Sequence, residues 1–273
     1  MRYTKRIPIL FIAAVAMTMG CDSQPHPSGF YRGYYPRLGP LKPHEVFSDE
    51  NVVALAVAAQ EGRIEDLNRL SERGVDVNTV GRGSITPLVC AFAASNKAGY
   101  KRLLELGANP NVQMENGLGI MSFASSAADD SEWIELALRF GGDPNLVYTK
   151  SRSCPKRTPI FDTISSHHVR AAELLIEAGA DLTHKSRHGQ TPLGFALINH
   201  RYDIIYLLLQ AGADHRDGLV LRETAIERTR RYLEERDGRF REPEQVPWAE
   251  KCLKIIEERE RRETARDSEI EPE

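Results

Sequence analysis

Among 273 residues, the groups best able to do chemistry are four cysteines, eight histidines and cations gathered in short polar segments. No familiar constellation joins them. The chain has no G-x-S-x-G, no H-E-x-x-H, no Walker loop and no C-x-x-C pair. Nucleophilic hydrolysis, zinc hydrolysis, phosphate cradling and dithiol exchange therefore lack their usual arrangements. Gly81-Arg-Gly-Ser and Gly117-Leu-Gly-Ile look like pieces of phosphate loops, but both fall in turns, where Gly serves the backbone. His167 and His200 share a turn position 33 residues apart. Stacked elements would hold them ~10 Å apart, long for two ligands of one zinc. Their expected role is a left-handed turn, which His tolerates better than branched residues. No metal and no cofactor is expected. Cys90, Cys154 and Cys252 are an odd set once Cys21 is set aside. Free thiols are the expectation; a Cys90–Cys154 pair would need the loop carrying Cys154 to fold back.

Composition narrows the class. The chain is 41% hydrophobic, 27% charged and 7% aromatic, with a formal net charge of −3. These values exclude a polytopic membrane protein and a fully disordered chain. They give no bulk positive charge that would demand nucleic acid.

The N-terminus reads as an address. Arg2, Lys5 and Arg6 precede an apolar stretch from Ile7 to Met19, short for a membrane span, which needs ~20 residues. The stretch ends at Thr18-Met19-Gly20-Cys21, which resembles the lipobox of bacterial lipoproteins, although Thr18 stands where that family usually has Leu. The resemblance implies a signal peptide over 1–20 and acylation of Cys21, which would tie the chain to a membrane. The alternatives are ordinary secretion or an uncleaved anchor. Asp22 resembles an inner-membrane retention signal. Residues 21–46 are rich in Pro, Gly and Tyr and read as a tether. The expected location is the bacterial envelope, facing the periplasm, where nucleic acid is not a partner.

One phrase then recurs: Gly74-Val-Asp-Val-Asn78, Gly107-Ala-Asn-Pro-Asn111, Gly141-Gly-Asp-Pro-Asn145, Gly179-Ala-Asp-Leu-Thr183 and Gly212-Ala-Asp-His-Arg216. A second phrase follows it at Thr86-Pro-Leu, Thr158-Pro-Ile and Thr191-Pro-Leu, with a five-residue insertion before Thr158 and a faint copy at Thr224-Ala-Ile. Pro suits the first position of a helix, Thr can cap it, and Gly ends the second helix in a left-handed turn. This pattern resembles the ankyrin repeat family. The resemblance implies an all-α solenoid of about five repeats over 47–217. A degenerate helical capping unit is expected over 218–262, with helices at Leu221–Glu235 and Trp248–Arg262, followed by a disordered tail, 263–273. Ala91, Ala124 and Ala196 would let the first helices stack closely.

Repeat stacks bind partners through hairpin tips and a concave face. The tips carry Arg82, Lys150, Arg152, Lys156, Arg157, Lys185, Arg187 and Arg216, opposed only by Glu115 and Asp217. That reads as a basic stripe suited to an acidic protein surface. A variable, groove-facing helix position holds Val57, Cys90, Phe123, Asp162 and Phe195. Phe123 and Phe195 are the anchor candidates, with packing between repeats as the alternative, and Tyr148 opens the distinctive insertion, Tyr148–Arg157. The expected function is non-enzymatic protein binding, sharpened to an immunity or inhibitor lipoprotein that neutralises a toxic envelope-acting enzyme such as a secreted phospholipase. The alternative is a scaffold that supports an envelope enzyme, for example in oxidative-stress defence.

Overall fold

Why this chain folds into helix pairs is visible at the pair boundaries. Pro87, Pro159 and Pro192 each open a helix, where a missing N–H costs nothing. Of the three threonines before them, Thr191 caps its helix, accepting from the Gly194 N–H at 3.2 Å, whereas Thr86 and Thr158 make no such bond. The faint sixth copy caps best. Thr224 and Glu227 form a reciprocal box, with Glu227 N–H donating to the Thr224 hydroxyl and Thr224 N–H to the Glu227 carboxylate at 2.9 Å.

The structure is a computed structural model that describes residues 41–127, 130–149, 156–218, 223–234 and 242–270. The signal-peptide and lipidation expectations, Cys21 and Asp22 included, lie outside these residues, as do Lys150, Arg152 and Cys154. Thirteen α-helices are present among the described residues. After a short α1 (Pro43–Val46) they form six pairs: α2 (Glu50–Glu61) with α3 (Ile64–Glu72), α4 (Pro87–Ala93) with α5 (Lys97–Glu105), and α6 (Ile120–Ser126) with α7 (Glu132–Arg139). Then follow α8 (Pro159–Ser166) with α9 (Val169–Glu177), α10 (Pro192–Ile198) with α11 (Tyr202–Gln210), and α12 (Ala225–Glu234) with α13 (Val246–Ile270). First helices pack on first helices and second on second along the whole series, giving an all-α solenoid.

Four of the turns inside a pair carry one left-handed residue. Gly62 supplies it first at φ 71°, then Ser95 at 55°, His167 at 62° and His200 at 54°. The turn role expected of the two histidines is therefore what the backbone shows. The glycines that follow the second helices, Gly74, Gly107, Gly141, Gly179 and Gly212, have φ between 84° and 95°. A Cβ at any of them would meet nothing within 4 Å, so the requirement is backbone conformation rather than space. Gly99 is the opposite case. Its Cβ would lie 2.0 Å from the Ala59 carbonyl oxygen, so α5 approaches α2 to a distance that only Gly permits.

The core is one continuous aliphatic seam rather than a central ball. Ala91, Ala124 and Ala196 are fully buried, as are Leu55, Leu88, Leu103, Ile134, Leu175 and Leu208. At the C-terminal end α13 runs on to Ile270, past Arg262 and through most of the stretch expected to be a disordered tail. Contacts to the body and within the helix hold the turns that lead into it. Arg259 donates to the Ala213 carbonyl at 2.8 Å and to that of Leu209, Glu263 lies 3.7 Å from Arg216, and Arg262 pairs with Glu258 one turn back.

Candidate protein-binding edge

The recurring Gly-x-Asp-x-Asn phrase is a hydrogen-bond device. Within each copy the third residue accepts from the backbone two positions on: Asp76 from Asn78 N–H, Asn109 from Asn111, Asp143 from Asn145, Asp181 from Thr183 and Asp214 from Arg216. The fifth residue reaches the next copy. Asn78 donates to the Gly107 carbonyl at 2.9 Å and accepts from Asn109 N–H at 2.7 Å. Asn111 repeats this with Gly141 and Asp143, and Asn145 with Gly179 and Asp181. Three junctions are thus clamped by one side chain each. The fourth copy has Thr183 in place of Asn, and that side chain bonds within its own turn, to Asp181 at 2.7 Å. Sequence reading caught the phrase but not the clamp; the signal was the same amide at Asn78, Asn111 and Asn145.

The hairpin tips are also joined. Glu115 N–H donates to Gly83, Gln113 Nε2 to Val147 at 3.0 Å, and the Thr191 hydroxyl to Asp217 at 3.3 Å. His184 Nε2 lies 2.7 Å from the Lys156 carbonyl oxygen. The result is an edge of five hairpins that follow Gly74, Gly107, Gly141, Gly179 and Gly212, of which residues 150–155 and 219–222 lie outside the described residues.

Placing the candidate residues on this edge changes the expected stripe. Arg82 is exposed on the first hairpin, beside a shallow cleft of about 390 Å³ lined by Val46, Phe47, Val52 and Val80. The second hairpin exposes Glu115 and no cation. Lys156, Lys185 and Arg187 are exposed on the third and fourth. On the fifth, Arg216 is engaged by Asp214 at 2.9 Å and Glu263, holding the Asp214 carboxyl down at about 2, and His215 is buried. Positive charge is therefore concentrated on two adjacent hairpins instead of running end to end.

Several groove candidates are corrected in placement. Tyr148 is fully buried, because its N–H and carbonyl pair with Arg157 and Lys156 and close the neck of the insertion with the ring turned inward. Asp162 is fully buried on α8, which is flanked by α6 and α10. Phe123 is 6% exposed and stacks on Phe92 at 6.0 Å; Phe195 is 8% exposed and packs on Phe161 at 5.6 Å. Neither stands out as a free anchor; both fill the seam between units. Arg157 is half-buried, its guanidinium 4.3 Å above the Phe195 ring, a cation–π contact that fixes the charge at the groove margin.

Reactive groups elsewhere are quiet. Burial pushes the Cys90 thiol up to about 12 and raises Cys252 as well, so both stay protonated at neutral pH and unlike a nucleophile. Both are free thiols. Among the described residues no group of three His, Cys, Asp or Glu side chains is placed to hold a metal ion, and no helix is long and apolar enough to cross a membrane.

Residues 121–217 match the family model for ankyrin repeats, in three copies. This segment is an ankyrin-repeat array. It spans α6 to the fifth hairpin and so contains both cationic tips. Ankyrin repeats are protein-interaction modules, generally without catalysis. The chain is also similar to a mitochondrial disaggregase of Bos taurus, 27% identical over 184 residues. That match covers 67% of this chain and only 26% of the relative's own length.

Proposed function

We propose that this chain is a non-enzymatic ankyrin-repeat lipoprotein of the bacterial envelope that binds and neutralises a toxic, envelope-acting enzyme, such as a secreted phospholipase. The observation that carries the binding part is the clamped hairpin edge with its exposed Lys156, Lys185 and Arg187. A rigid, preformed surface loses little entropy when it docks a partner. The envelope part rests on the sequence before Asp22: a basic segment, a short apolar run and Gly20-Cys21. Acyl chains on Cys21 would hold the solenoid at the membrane, and Asp22 favours the inner one.

Two measurements test this. Metabolic labelling with an alkyne fatty acid should mark the chain and fail to mark Cys21→Ala. Affinity capture from envelope extract should retrieve a hydrolase whose activity falls on binding. A captured enzyme whose activity rises or stays constant makes the chain a supporting scaffold and sinks the inhibitor reading. Turnover of lipid, peptidoglycan or ester substrates by the purified chain sinks the non-enzymatic one.

A further inference from the structure

We infer that the open side of the first hairpin docks a hairpin of a partner protein, whose Asn carboxamide is held by the Gly74 carbonyl and the Asp76 N–H. The inference rests on the protein-binding reading above and gives it a place and a chemistry. It needs neither the envelope nor the inhibitor part.

The second hairpin shows what such a side does when it is covered. Three of its backbone groups bond back to the first hairpin. The Gly107 carbonyl accepts from Asn78 Nδ2 at 2.9 Å, Asn109 N–H donates to Asn78 Oδ1 at 2.7 Å, and Glu115 N–H donates to the Gly83 carbonyl at 3.1 Å. The same groups one period earlier are the Gly74 carbonyl, the Asp76 N–H and the Arg82 N–H. All three residues are exposed, and among the described residues none of these groups has a hydrogen-bond partner. Asn111 and Asn145 hold the corresponding first two groups of the third and fourth hairpins. An interface used at three junctions is thus left open at the start of the series.

The helix α1 and Phe47 fill part of the space where a preceding hairpin would lie, but only by packing. A Cβ on Gly81 would sit 2.7 Å from Val46 and Phe47, so only Gly permits that approach, and among the described residues no hydrogen bond joins α1 to the hairpin. The cleft of about 390 Å³ lies beside this contact. Val80 in its lining is the one large hydrophobic side chain that stands exposed among the described residues, at 55%.

The open pair of groups selects its ligand. A carboxylate or phosphate only accepts, and would face the Gly74 carbonyl. A Lys or Arg only donates, and would face the Asp76 N–H. A carboxamide does both, as Asn78, Asn111 and Asn145 do at the covered junctions. The array of a second copy does not supply it. Its Asn78, Asn111 and Asn145 are engaged, and the later copies of the phrase hold Thr183 and Arg216 in that place. Residues 1–40 contain one carboxamide, that of Gln24. A hairpin of another protein, with Asn for the open pair and an apolar residue for the Val80 cleft, continues the interface that already joins the hairpins.

The test uses the full chain and a fluorescein-labelled cyclic peptide copying residues 74–86. That peptide carries the Asn78 carboxamide and the Gly83 carbonyl that the second hairpin reads, and cyclisation lowers the ordering cost. Anisotropy should show binding, about fivefold weaker for the Asn78→Ala peptide. In the chain, Arg82→Pro removes one N–H of the open side. Gly81 before it is extended and Arg82 opens a 3₁₀ turn, so Pro fits there. Arg82→Pro should weaken binding about fivefold with unchanged helicity, and Arg82→Ala, which keeps the N–H, less than about twofold. Val80→Asp should also weaken it, through the cleft.

Absence of peptide binding, equal binding of the two peptides, or equal effects of Arg82→Pro and Arg82→Ala overturns the inference. Tighter peptide binding by Gln24→Ala puts the chain's own leading residues on this side and overturns it too. Self-association in sedimentation velocity that Arg82→Pro abolishes does the same in favour of a second copy. Affinity capture separates the two levels. A partner retained equally by wild type and Arg82→Pro removes this site but keeps protein binding. A partner kept by Arg82→Ala, lost from Arg82→Pro and displaced by the cyclic peptide supports both.

Discussion

The middle junctions and the last one are held by different means. Asn78, Asn111 and Asn145 repeat one clamp three times, each on a neighbouring Gly carbonyl and a backbone N–H. At Thr183 that clamp stops, and unrepeated side-chain contacts hold the end. Arg201 pairs with Asp203, Gln245 donates to Asp203 at 3.0 Å and accepts from its N–H, and Arg228 donates to Leu197 at 3.0 Å. A device copied once per repeat couples equivalent neighbours. A terminus lacks the next neighbour, so its unpaired edge must be closed by side chains reaching across many residues.

The largest way to break this difference is at the buried end. Burial would raise the Asp203 carboxyl, but Arg201, Gln245 and the Ile204 N–H outweigh it and lower it. Asp203→Ala leaves the buried Arg201 without its partner and should cost ~3–5 kcal/mol in urea unfolding, with loss centred on the C-terminal pairs. A smaller loss would show that Arg201 finds water instead.

Acid should attack the same end next. Burial, with Arg228 and Arg231 adding to it, pushes His200 down to about 4. The unfolded chain binds a proton near 6.5 and the folded chain does not, so this stabilisation is complete above that pH and is lost between about 6.5 and 4. The total is of order 3 kcal/mol. His200→Asn, which keeps the left-handed turn, should flatten the dependence over that window; an unaltered curve would falsify the assignment.

Removing one clamp should matter less. Asn111→Ala leaves the Gly141 carbonyl and Asp143 N–H to water and should cost ~1–2 kcal/mol, read by the unfolding midpoint. The smallest effect is the reverse operation. Thr183→Asn rebuilds the clamp to Gly212 and the Asp214 N–H and should stabilise by ~0.5–1 kcal/mol. If Asn111→Ala is neutral, the clamps are decoration and the aliphatic seam alone couples the units.

The solenoid was legible because its rules are local. Pro at helix starts, Gly after helix ends and a left-handed residue in an inner turn depend on a few neighbouring dihedrals, and Gly74, Pro192 and His167 announce them without knowledge of the rest. The binding edge was legible in outline only. Charge type is written in the sequence, but Arg216 looks like Arg187 until Asp214 and Glu263 are seen beside it. Phe123 and Phe195 looked like anchors because an inner-helix position does not reveal how far a neighbouring ring or Arg157 covers it.

By itself, the sequence determined the repeat unit, its period and the chemistry at the tips, since all three follow from short-range backbone preference and residue type. Only the tertiary structure decided which cations are paired with carboxylates, which aromatics are covered and where the clamp gives way to the cap. Those depend on distances between residues tens of positions apart, such as Asn145 and Asp181 or Asp203 and Gln245, which folding alone sets.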